Sequence, residues 1–247
     1  MKDTVKIADT GNTLIIAHRG ASCLERENTL PAFVAAGNRS YFGIETDVHV
    51  TRDGELVIMH DSDTSRVAFE SRIIEQSTLA ELRNIHIKDM DGSERTDLRI
   101  PLYTEYLKIC RTYGKKAVVE LKERFETRYV EKLLDVTGDT SDVIFISFVP
   151  ENLIDIRSML PGADIQYLAW NTGGKTLEII DRYGFDLDLC GLDLANADKT
   201  GVEAEKVKLI HGMGKKLNVW TIDSSDHAAM LISAGVDMIT TNCLEQG

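Results

Sequence analysis

Short apolar runs alternate with amphipathic segments along most of the chain. The runs are rich in Val, Ile and Leu, as in Gly43 to Val50 and Val143 to Ser147. The segments between them space their apolar residues like a helix that buries one face, as in Glu126 to Val136. Strands that alternate with helices in this way are typical of parallel βα units. The pattern therefore predicts an α/β fold built on a parallel sheet.

The predicted elements follow one another with short connections. The predicted strands are Leu14–Ala17, Gly43–Val50, Leu56–His60, Ala117–Leu121, Val143–Ser147, Ile165–Trp170, Leu189–Leu194, Leu217–Ile222 and Val236–Thr240. The longer predicted helices begin at about Leu30 and continue with Leu102–Tyr113, Glu126–Val136, Glu151–Met159, Thr176–Tyr183, Glu203–Met213 and Asp226–Ala234. These are nine predicted strands, one more than the eight of a TIM barrel. The turn signal Asp53-Gly54 joins the second and third strands as a hairpin, and the sequence leaves open which of the two belongs to the barrel.

The region from about residue 61 to residue 99 departs from this alternation. It is polar, with a short capped helix at Ser77 to Leu82 and a loop-like stretch at Lys88 to Glu94. We interpret it as an insertion into the barrel, after the strand that ends at His60. Single-domain barrels are typically about 250 residues long, and this chain has 247. We predict one TIM (β/α)8 barrel domain over residues 1–247, with a small insertion at about residues 61–99.

Charge and composition argue against several classes of function. A net charge of −12 disfavours nucleic-acid binding and adhesion to an anionic membrane surface. No apolar run approaches the roughly 18 residues of a membrane span, so we expect no stable membrane insertion. Residues 1–11 lack the hydrophobic region of a signal peptide, which favours a cytoplasmic location. The four cysteines show no zinc-ligand spacing and are expected to be reduced thiols.

The carboxyl ends of the strands form the active site of a TIM barrel. Polar and aromatic residues predicted at those ends are therefore the candidates for function. These are His18, Arg19, Glu45, Asp47, His60, Glu120, Lys122, Ser147, Trp170, Asp193 and Trp220. We expect Trp220 to contact the substrate.

Three carboxylates stand out among these candidates. Glu45 and Asp47 are two residues apart on one strand, so their side chains share a face, and Glu120 joins them from another strand. Carboxylates gathered inside one barrel repel each other unless a cation lies between them. Their oxygens suit a hard cation, Mg²⁺ or Ca²⁺. The alternative is that they only solvate a surface, but on the outer face of a barrel the helices would cover them.

Two cationic residues lie beside the predicted metal site. Lys122 shares a face with Glu120 and could hold a phosphate oxygen, form a structural ion pair, or act as the Schiff-base lysine of an aldolase. Nearby acids would raise the pKa of this lysine, which disfavours the aldolase. Arg19 is always charged and suits a phosphate clamp.

Two of the six histidines lie at predicted strand ends. A single histidine in such a place is more often structural than catalytic, but His18 and His60 both accompany the carboxylates. Histidine is the natural proton-transfer group near neutral pH. His49 shares the face of Asp47, and we expect it at the rim or in support of the site.

The order of these motifs resembles the glycerophosphodiester phosphodiesterase family. The motifs are His18-Arg19-Gly20, Glu27-Asn28-Thr29, Glu45-Thr46-Asp47, His60-Asp61 and Glu120-Leu121-Lys122, and Thr51 to Val57 is similar to the segment before the family's second histidine. Each motif alone is a weak signal, whereas five in this order with these gaps are a strong one. The resemblance extends from about Leu14 to Asn242.

The resemblance implies a function and a role for each residue of the site. It implies metal-dependent hydrolysis of glycerophosphodiesters, such as glycerophosphocholine or glycerophosphoethanolamine, to sn-glycerol 3-phosphate and an alcohol. By position, Glu45, Asp47 and Glu120 match metal ligands, His18 and His60 match the acid/base pair, and Arg19 and Lys122 match phosphate contacts. The expected partner is thus a small-molecule phosphodiester substrate. One departure is Thr241-Asn242, where the family's last strand often continues into Thr-Asp.

Two other functions remain open from the sequence. The first is another phosphodiesterase of the same barrel type that acts on phospholipids at membranes, although the chain shows no apolar or basic surface helix. The second is a phosphoryl-binding barrel without catalysis, since the fold alone does not settle function. Such a protein would not need both histidines and all three carboxylates.

Overall fold

Parallel strands close into a barrel in a computed structural model that describes residues 3–191 and 201–247. In chain order the strands are β1 (Val5–Ile7), β2 (Leu14–Ala17), β3 (Gly43–Val50), β4 (Leu56–Ile58), β5 (Lys116–Leu121), β6 (Val143–Ser147), β7 (Asp164–Ala169), β8 (Asp186–Cys190), β9 (Leu217–Trp220), β10 (Met238–Thr241) and β11 (Leu244–Gln246). Eight of these, β2, β3 and β5 to β10, pair in parallel, and β2 bonds to both β3 and β10. The predicted TIM barrel is confirmed.

Helices connect the barrel strands. The helices are α1 (Leu30–Gly37), α2 (Leu79–Arg83), α3 (Tyr103–Thr112), α4 (Thr127–Thr137), α5 (Pro150–Met159), α6 (Gly174–Tyr183), α7 (Ala204–Gly212) and α8 (Ser225–Ala234), with one 3₁₀ turn at Ile74–Gln76. Helix α1 begins as its sequence predicts, because the Thr29 hydroxyl accepts a hydrogen bond from the backbone N–H of Ala32 and Pro31 occupies the first turn. Within the described residues, no helix combines the length and apolar character needed to span a bilayer.

The hairpin explains the surplus predicted strand. Strand β4 runs antiparallel to β3, with Val48 opposite Ile58, so β3 belongs to the barrel and β4 only extends it. A small parallel sheet of β1 and β11, with Val5 opposite Leu244, was not predicted. Each of its strands has only three residues, too few to show a periodic pattern.

Side chains along each barrel strand alternate between two apolar layers. Residues such as Leu187 and Leu189 point outward to the helices, where they join the main core. Inward residues such as Ile16 and Ile146 fill the barrel interior together with polar side chains. Because strand side chains alternate, one strand serves the core and the site at once.

One strand lies earlier in the chain than predicted. The predicted strand Leu189–Leu194 overlaps β8 only at Leu189 and Cys190, because β8 spans Asp186–Cys190, in register with Leu217 to Trp220 of β9. The end of the predicted strand, from residue 192, lies outside the described residues. The acidic residues Asp186 and Asp188 disguise the start of β8 in the apolar pattern. The candidate Asp193 lies outside the described residues.

The segment between β4 and α3 has a small apolar core of its own. Its buried residues, of which the first belongs to β4 and the others to this segment, are Val57, Met59, Val67, Ala68, Ile74, Leu82, Ile85, Ile87, Leu98 and Ile100. The short helix α2 inside it carries a capping box, in which the Thr78 hydroxyl accepts from the Glu81 N–H and the Glu81 carboxylate accepts from the Thr78 N–H. The polar stretch seen in the sequence therefore packs as an ordered layer on β4.

We expect Gly20→Ala to destabilise the protein more than Gly92→Ala. Both glycines have positive φ, 81° and 86°, which costs an alanine about 1–2 kcal/mol. A Cβ on Gly20 would lie 2.7 Å from the Ala32 carbonyl carbon, whereas one on Gly92 meets nothing within 4 Å. Urea denaturation should show a further loss of roughly 1–3 kcal/mol for Gly20→Ala. Equal losses in the two variants would contradict this packing argument.

Candidate active site

A cavity of about 380 Å³ opens at the carboxyl ends of the barrel strands. Its titratable lining consists of His18, Arg19, Glu45, His60, Glu120, Lys122 and Asp188. Its apolar lining consists of Ile146, Phe148, Leu168, Trp170 and Trp220. Asp47 is not part of this lining, but its carboxylate pairs with Arg19 and Lys122, which are. The barrel thus brings together residues that are more than 200 positions apart in the chain.

Three buried carboxylates form the centre of the site. Glu45, Asp47 and Glu120 are 3%, 1% and 7% exposed, and each offers a carboxylate oxygen within 4.8 Å of the others. The backbone N–H of Arg19 donates to Glu45 at 2.8 Å, and the Asn28 amide donates to Asp47 at 2.7 Å. Each bond holds one carboxylate oxygen in place. The arrangement fits a divalent cation with oxygen ligands.

The pKa values of these carboxylates reflect their crowding. Burial, together with the charges of the other two carboxylates, raises the pKa of Glu45 well above its usual range. Burial and the charge of Asp47 raise the pKa of Glu120 to about 7. Although burial opposes it, Lys122 and Arg19 lower the pKa of Asp47. Repulsion between the carboxylates contributes to the raised pKa values of Glu45 and Glu120, and a cation among their oxygens would relieve it.

Lys122 and Arg19 balance part of the negative charge. The Lys122 ammonium lies 2.9 Å from Glu120 and 3.1 Å from Asp47, and these carboxylates raise its pKa although burial opposes them. A Schiff-base lysine requires the opposite shift, so the aldolase alternative is disfavoured. Arg19 lies 3.6 Å from Asp47 and 2.9 Å from Glu27. Both cations also line the cavity, where they can meet an anionic ligand.

Hydrogen bonds define the protonation of His18. Asp223 accepts the side-chain N–H of Asn242 at 2.6 Å, which turns the Asn242 oxygen toward His18. That oxygen lies 2.8 Å from Nδ1 and also accepts from Ser22, so Nδ1 must carry the proton. Burial, then the charge of Arg19, lowers the pKa of His18 to about 4. His18 is thus a neutral imidazole whose Nε2 presents a lone pair.

His60 has a charged partner instead. Its Nδ1 donates to the Asp61 carboxylate at 2.6 Å, a contact that favours the protonated ring and fixes its orientation. Burial lowers the pKa of His60 despite this partner. As in His18, Nε2 is the nitrogen left for a ligand.

Two predicted residues lie away from the cavity. The expectation that Ser147 lies at the rim is wrong, because it points outward to the helix layer, where its hydroxyl donates to the Leu121 carbonyl at 2.7 Å. His49 is buried beside the site, and its Nε2 lies 3.4 Å from the His60 carbonyl. His49 therefore supports the segment that carries His60 and does not line the cavity.

Three aromatic side chains form one wall of the cavity. Phe148 and Trp170 stack at 5.4 Å between ring centroids, and Trp220 meets both edge to face at 5.7 and 5.1 Å. Trp170 is 55% exposed and marks the rim. Trp220 lines the cavity, and its Nε1 lies 3.4 Å from the Asp188 carbonyl.

Sequence reasoning missed two buried polar residues. Asp188 faces the cavity and has a carboxylate oxygen without a hydrogen-bond partner in the described part of the chain. Burial, followed by the charge of Glu120, raises its pKa. The alternation of Asp186 and Asp188 with leucines was the available signal. Asn28, whose φ is 55°, also receives a hydrogen bond from Thr46, but its motif gave no indication of this role.

Comparison with known proteins gives a consistent result. The profile of the glycerophosphoryl diester phosphodiesterase family matches residues 18–246. A glycerophosphodiester phosphodiesterase of Caldanaerobacter subterraneus is 27% identical over 243 residues, which cover 93% of this chain and 94% of that protein. An uncharacterised protein of Mycoplasma genitalium is 44% identical over 230 residues, which cover 86% of this chain and 88% of that protein.

Solved structures share the fold. An Oleispira antarctica phosphodiesterase, solved with the product sn-glycerol-3-phosphate, has a TM-score of 0.81 at 24% identity and covers 93% of this chain and 92% of its own. A glycerophosphoryl diester phosphodiesterase structure from Silicibacter pomeroyi has a TM-score of 0.82 at 21% identity, with coverage of 98% and 91%. At these identities the likeness describes the fold.

We expect Mg²⁺ or Ca²⁺ to raise the melting temperature of the protein, because a ligand that binds only the folded state stabilises it. At a concentration 100-fold above the dissociation constant the gain is about 2.7 kcal/mol. Glu120→Gln should lose this shift, whereas Glu131→Gln, a change of equal charge on the exposed side of α4, should keep it. Differential scanning fluorimetry with and without EDTA measures both. A shift retained in Glu120→Gln would place the cation elsewhere.

Proposed function

The chain belongs to the glycerophosphoryl diester phosphodiesterase family, and from this we propose that it hydrolyses glycerophosphodiesters to sn-glycerol 3-phosphate and an alcohol. One observation carries the proposal. Three buried carboxylates, two histidines with fixed Nδ1 atoms and two cations converge on one cavity. A binding protein without catalysis has no use for two histidines oriented in this way.

Glu45, Asp47 and Glu120 would hold one divalent cation, Mg²⁺ or Ca²⁺. Their oxygens are hard donors, and their mutual repulsion gives the folded chain a reason to take up a cation. When bound, such a cation supplies Lewis-acid polarisation of a phosphate oxygen and orients the substrate. The cavity also has a largely apolar wall, since five of its lining residues are apolar or aromatic.

Arg19 and Lys122 would hold the remaining phosphate charge. Both line the cavity beside the carboxylates, so a phosphate that enters meets positive charge on two sides. The fork of a guanidinium suits two phosphate oxygens, whereas an ammonium acts as a point charge. These groups are arranged before the substrate arrives, which is the most effective form of electrostatic stabilisation.

We assign the base to His18 and the acid to His60. His18 is a neutral ring with Nδ1 protonated toward Asn242, so its Nε2 can remove a proton from the nucleophile. His60 has the Asp61 carboxylate at Nδ1, which stabilises a protonated ring that can donate to the leaving alkoxide. The nucleophile is either the glycerol 2-hydroxyl, through a cyclic phosphate, or water. The aromatic wall formed by Phe148, Trp170 and Trp220 would pack against the carbon skeleton of the substrate.

We expect metal-dependent release of sn-glycerol 3-phosphate from glycerophosphocholine and glycerophosphoethanolamine. The measurement is a coupled assay with Mg²⁺, with Ca²⁺ and with EDTA, because the proposed cation site predicts that EDTA abolishes release. Glu45→Ala should lose activity, and Glu131→Ala should retain it. Lysophosphatidylcholine micelles in a parallel arm, assayed for choline release, test the membrane-type phosphodiesterase. Turnover of the micelles alone would replace the proposed substrates, and product binding without turnover would favour a binding protein.

We expect His18→Asn and His60→Asn each to lower kcat by about 10²–10⁴, the usual contribution of one acid or base. Asparagine keeps a polar side chain at each position, so the fold should survive, and circular dichroism checks this. If His60 protonates the leaving group, a substrate with a good leaving group such as 4-nitrophenol should restore activity to His60→Asn but not to His18→Asn. Equal restoration in both variants would contradict the assignment of the acid to His60.

A further inference from the structure

A continuous row of charged side chains joins His60 to Arg19 along the rim of the cavity. His60 donates to Asp61 at 2.6 Å, and the other oxygen of Asp61 accepts from Nε of Arg66 at 2.6 Å. Both terminal nitrogens of Arg66 donate to Glu27, at 2.9 and 2.8 Å. Glu27 then accepts from Arg19 at 2.9 Å. The proposed acid and the phosphate-binding arginine are thus the two ends of one network.

Arg66 is the link that closes this row. A guanidinium has five N–H donors in a rigid plane, so it can bond to one carboxylate through Nε and to a second through its fork. Here it bonds to Asp61 and Glu27 in that way. Although burial opposes the shift, the hydrogen bonds from Arg66, followed by the charge of Arg19, lower the pKa of Glu27 to about 2.

The backbone that carries Arg66 is held firmly. The next two residues, Val67 and Ala68, are buried in the apolar core of the segment between β4 and α3. The backbone N–H of Ala68 donates to the Thr64 carbonyl at 2.8 Å. Arg66 therefore projects from a fixed turn toward Asp61 and Glu27.

The row of charged side chains matters more for the orientation of the catalytic side chains than for the free energy of unfolding. The side chain of Arg66 is 45% exposed, and ion pairs at such positions contribute little to the free energy of unfolding. Orientation is a different matter, because partners of a catalytic side chain fix its rotamer and commonly account for 10–100-fold in activity. Asp61 without Arg66 would be free to turn away from His60.

We propose that Arg66 is a positioning residue that sets the orientations of His60 and Arg19 together, through Asp61 and Glu27. The proposal rests on the proposed function. It gives the polar segment that interrupts the barrel a role in the reaction. Arg66 does not line the cavity, so its effect is exerted through the residues that do.

The first test compares Arg66→Gln with Arg95→Gln. Arg95 lies in the same segment and also pairs with carboxylates, Glu25 at 2.7 Å and Asp97 at 2.8 Å, but within the described residues neither carboxylate bonds to a side chain that lines the cavity. We expect Arg66→Gln to lower kcat/KM by about 10–100-fold, with kcat reduced through His60 and KM raised through Arg19. Arg95→Gln should stay within threefold of the wild type. Equal effects in the two variants, or a change in KM alone, would overturn the proposal.

The second test separates geometry from charge. Arg66→Lys keeps the charge, but one ammonium cannot reproduce three bonds in a plane, so we expect less than a fivefold recovery over Arg66→Gln. Full recovery would mean that only charge matters. In a Glu27→Gln background, Arg66→Gln should lower kcat/KM by much less than it does alone, because the Glu27 change has already interrupted the same row of side chains. Effects that simply multiply would also overturn the proposal.

A binding measurement keeps this inference apart from the proposed function. Calorimetry of sn-glycerol 3-phosphate in the presence of Mg²⁺ requires no turnover. We expect Arg66→Gln to bind this ligand about 3–10-fold more weakly than Arg95→Gln, because Arg19 loses its fixed position. A wild type that binds but does not hydrolyse glycerophosphodiesters would refute the proposed function and leave this comparison valid. Equal affinities would refute the role of Arg66.

Discussion

Mutual repulsion among three buried carboxylates is the constraint on which the rest of the site depends. Strands β3 and β5 are neighbours in the barrel, and their register sets Asp47 directly opposite Glu120, with Glu45 two residues earlier on β3. Two such charges at 4 Å in a protein interior repel by roughly 4 kcal/mol. Lys122 and Arg19 offset part of this energy, and a divalent cation is the natural means of offsetting the remainder. Lys122 and Arg19 therefore lie beside the carboxylates, where their positive charges offset the repulsion.

The surroundings give the two histidines different characters. The partner of His18 is an amide whose orientation is set by Asp223, so the ring stays neutral. The partner of His60 is a carboxylate, which favours a protonated ring although burial lowers the pKa of His60. In the proposed function, these different neighbours would suit the two rings to opposite proton transfers. Neither Asn242 nor Asp61 is part of the cavity lining, and each follows a strand in the chain.

The barrel makes this arrangement possible because the two faces of each strand have different roles, one in packing and the other in the site. Outward residues such as Leu187 pack against helices, and inward residues of the same strand face the cavity. The segment between β4 and α3 adds a second small core, which holds the turn that carries Arg66. Stability thus comes from layers that the reaction does not disturb, and the site can accommodate strained features such as the positive φ of Arg19.

The sequence by itself determined the alternation of strands and helices in the barrel and supplied the candidate residues of the site, because both can be read from residue types and their spacing along the chain. The limits of that reasoning are equally physical. Because Asp188 faces inward, the apolar pattern did not give the correct start of β8. The face of β6 on which Ser147 lies could be assigned only once the orientation of that strand in the barrel was known. Tertiary structure alone decided which hairpin strand joins the barrel and which atoms of His18 and His60 face the cavity. It also joined Arg66 to Glu27 across 39 positions, since contacts between distant segments leave no periodic trace in the chain.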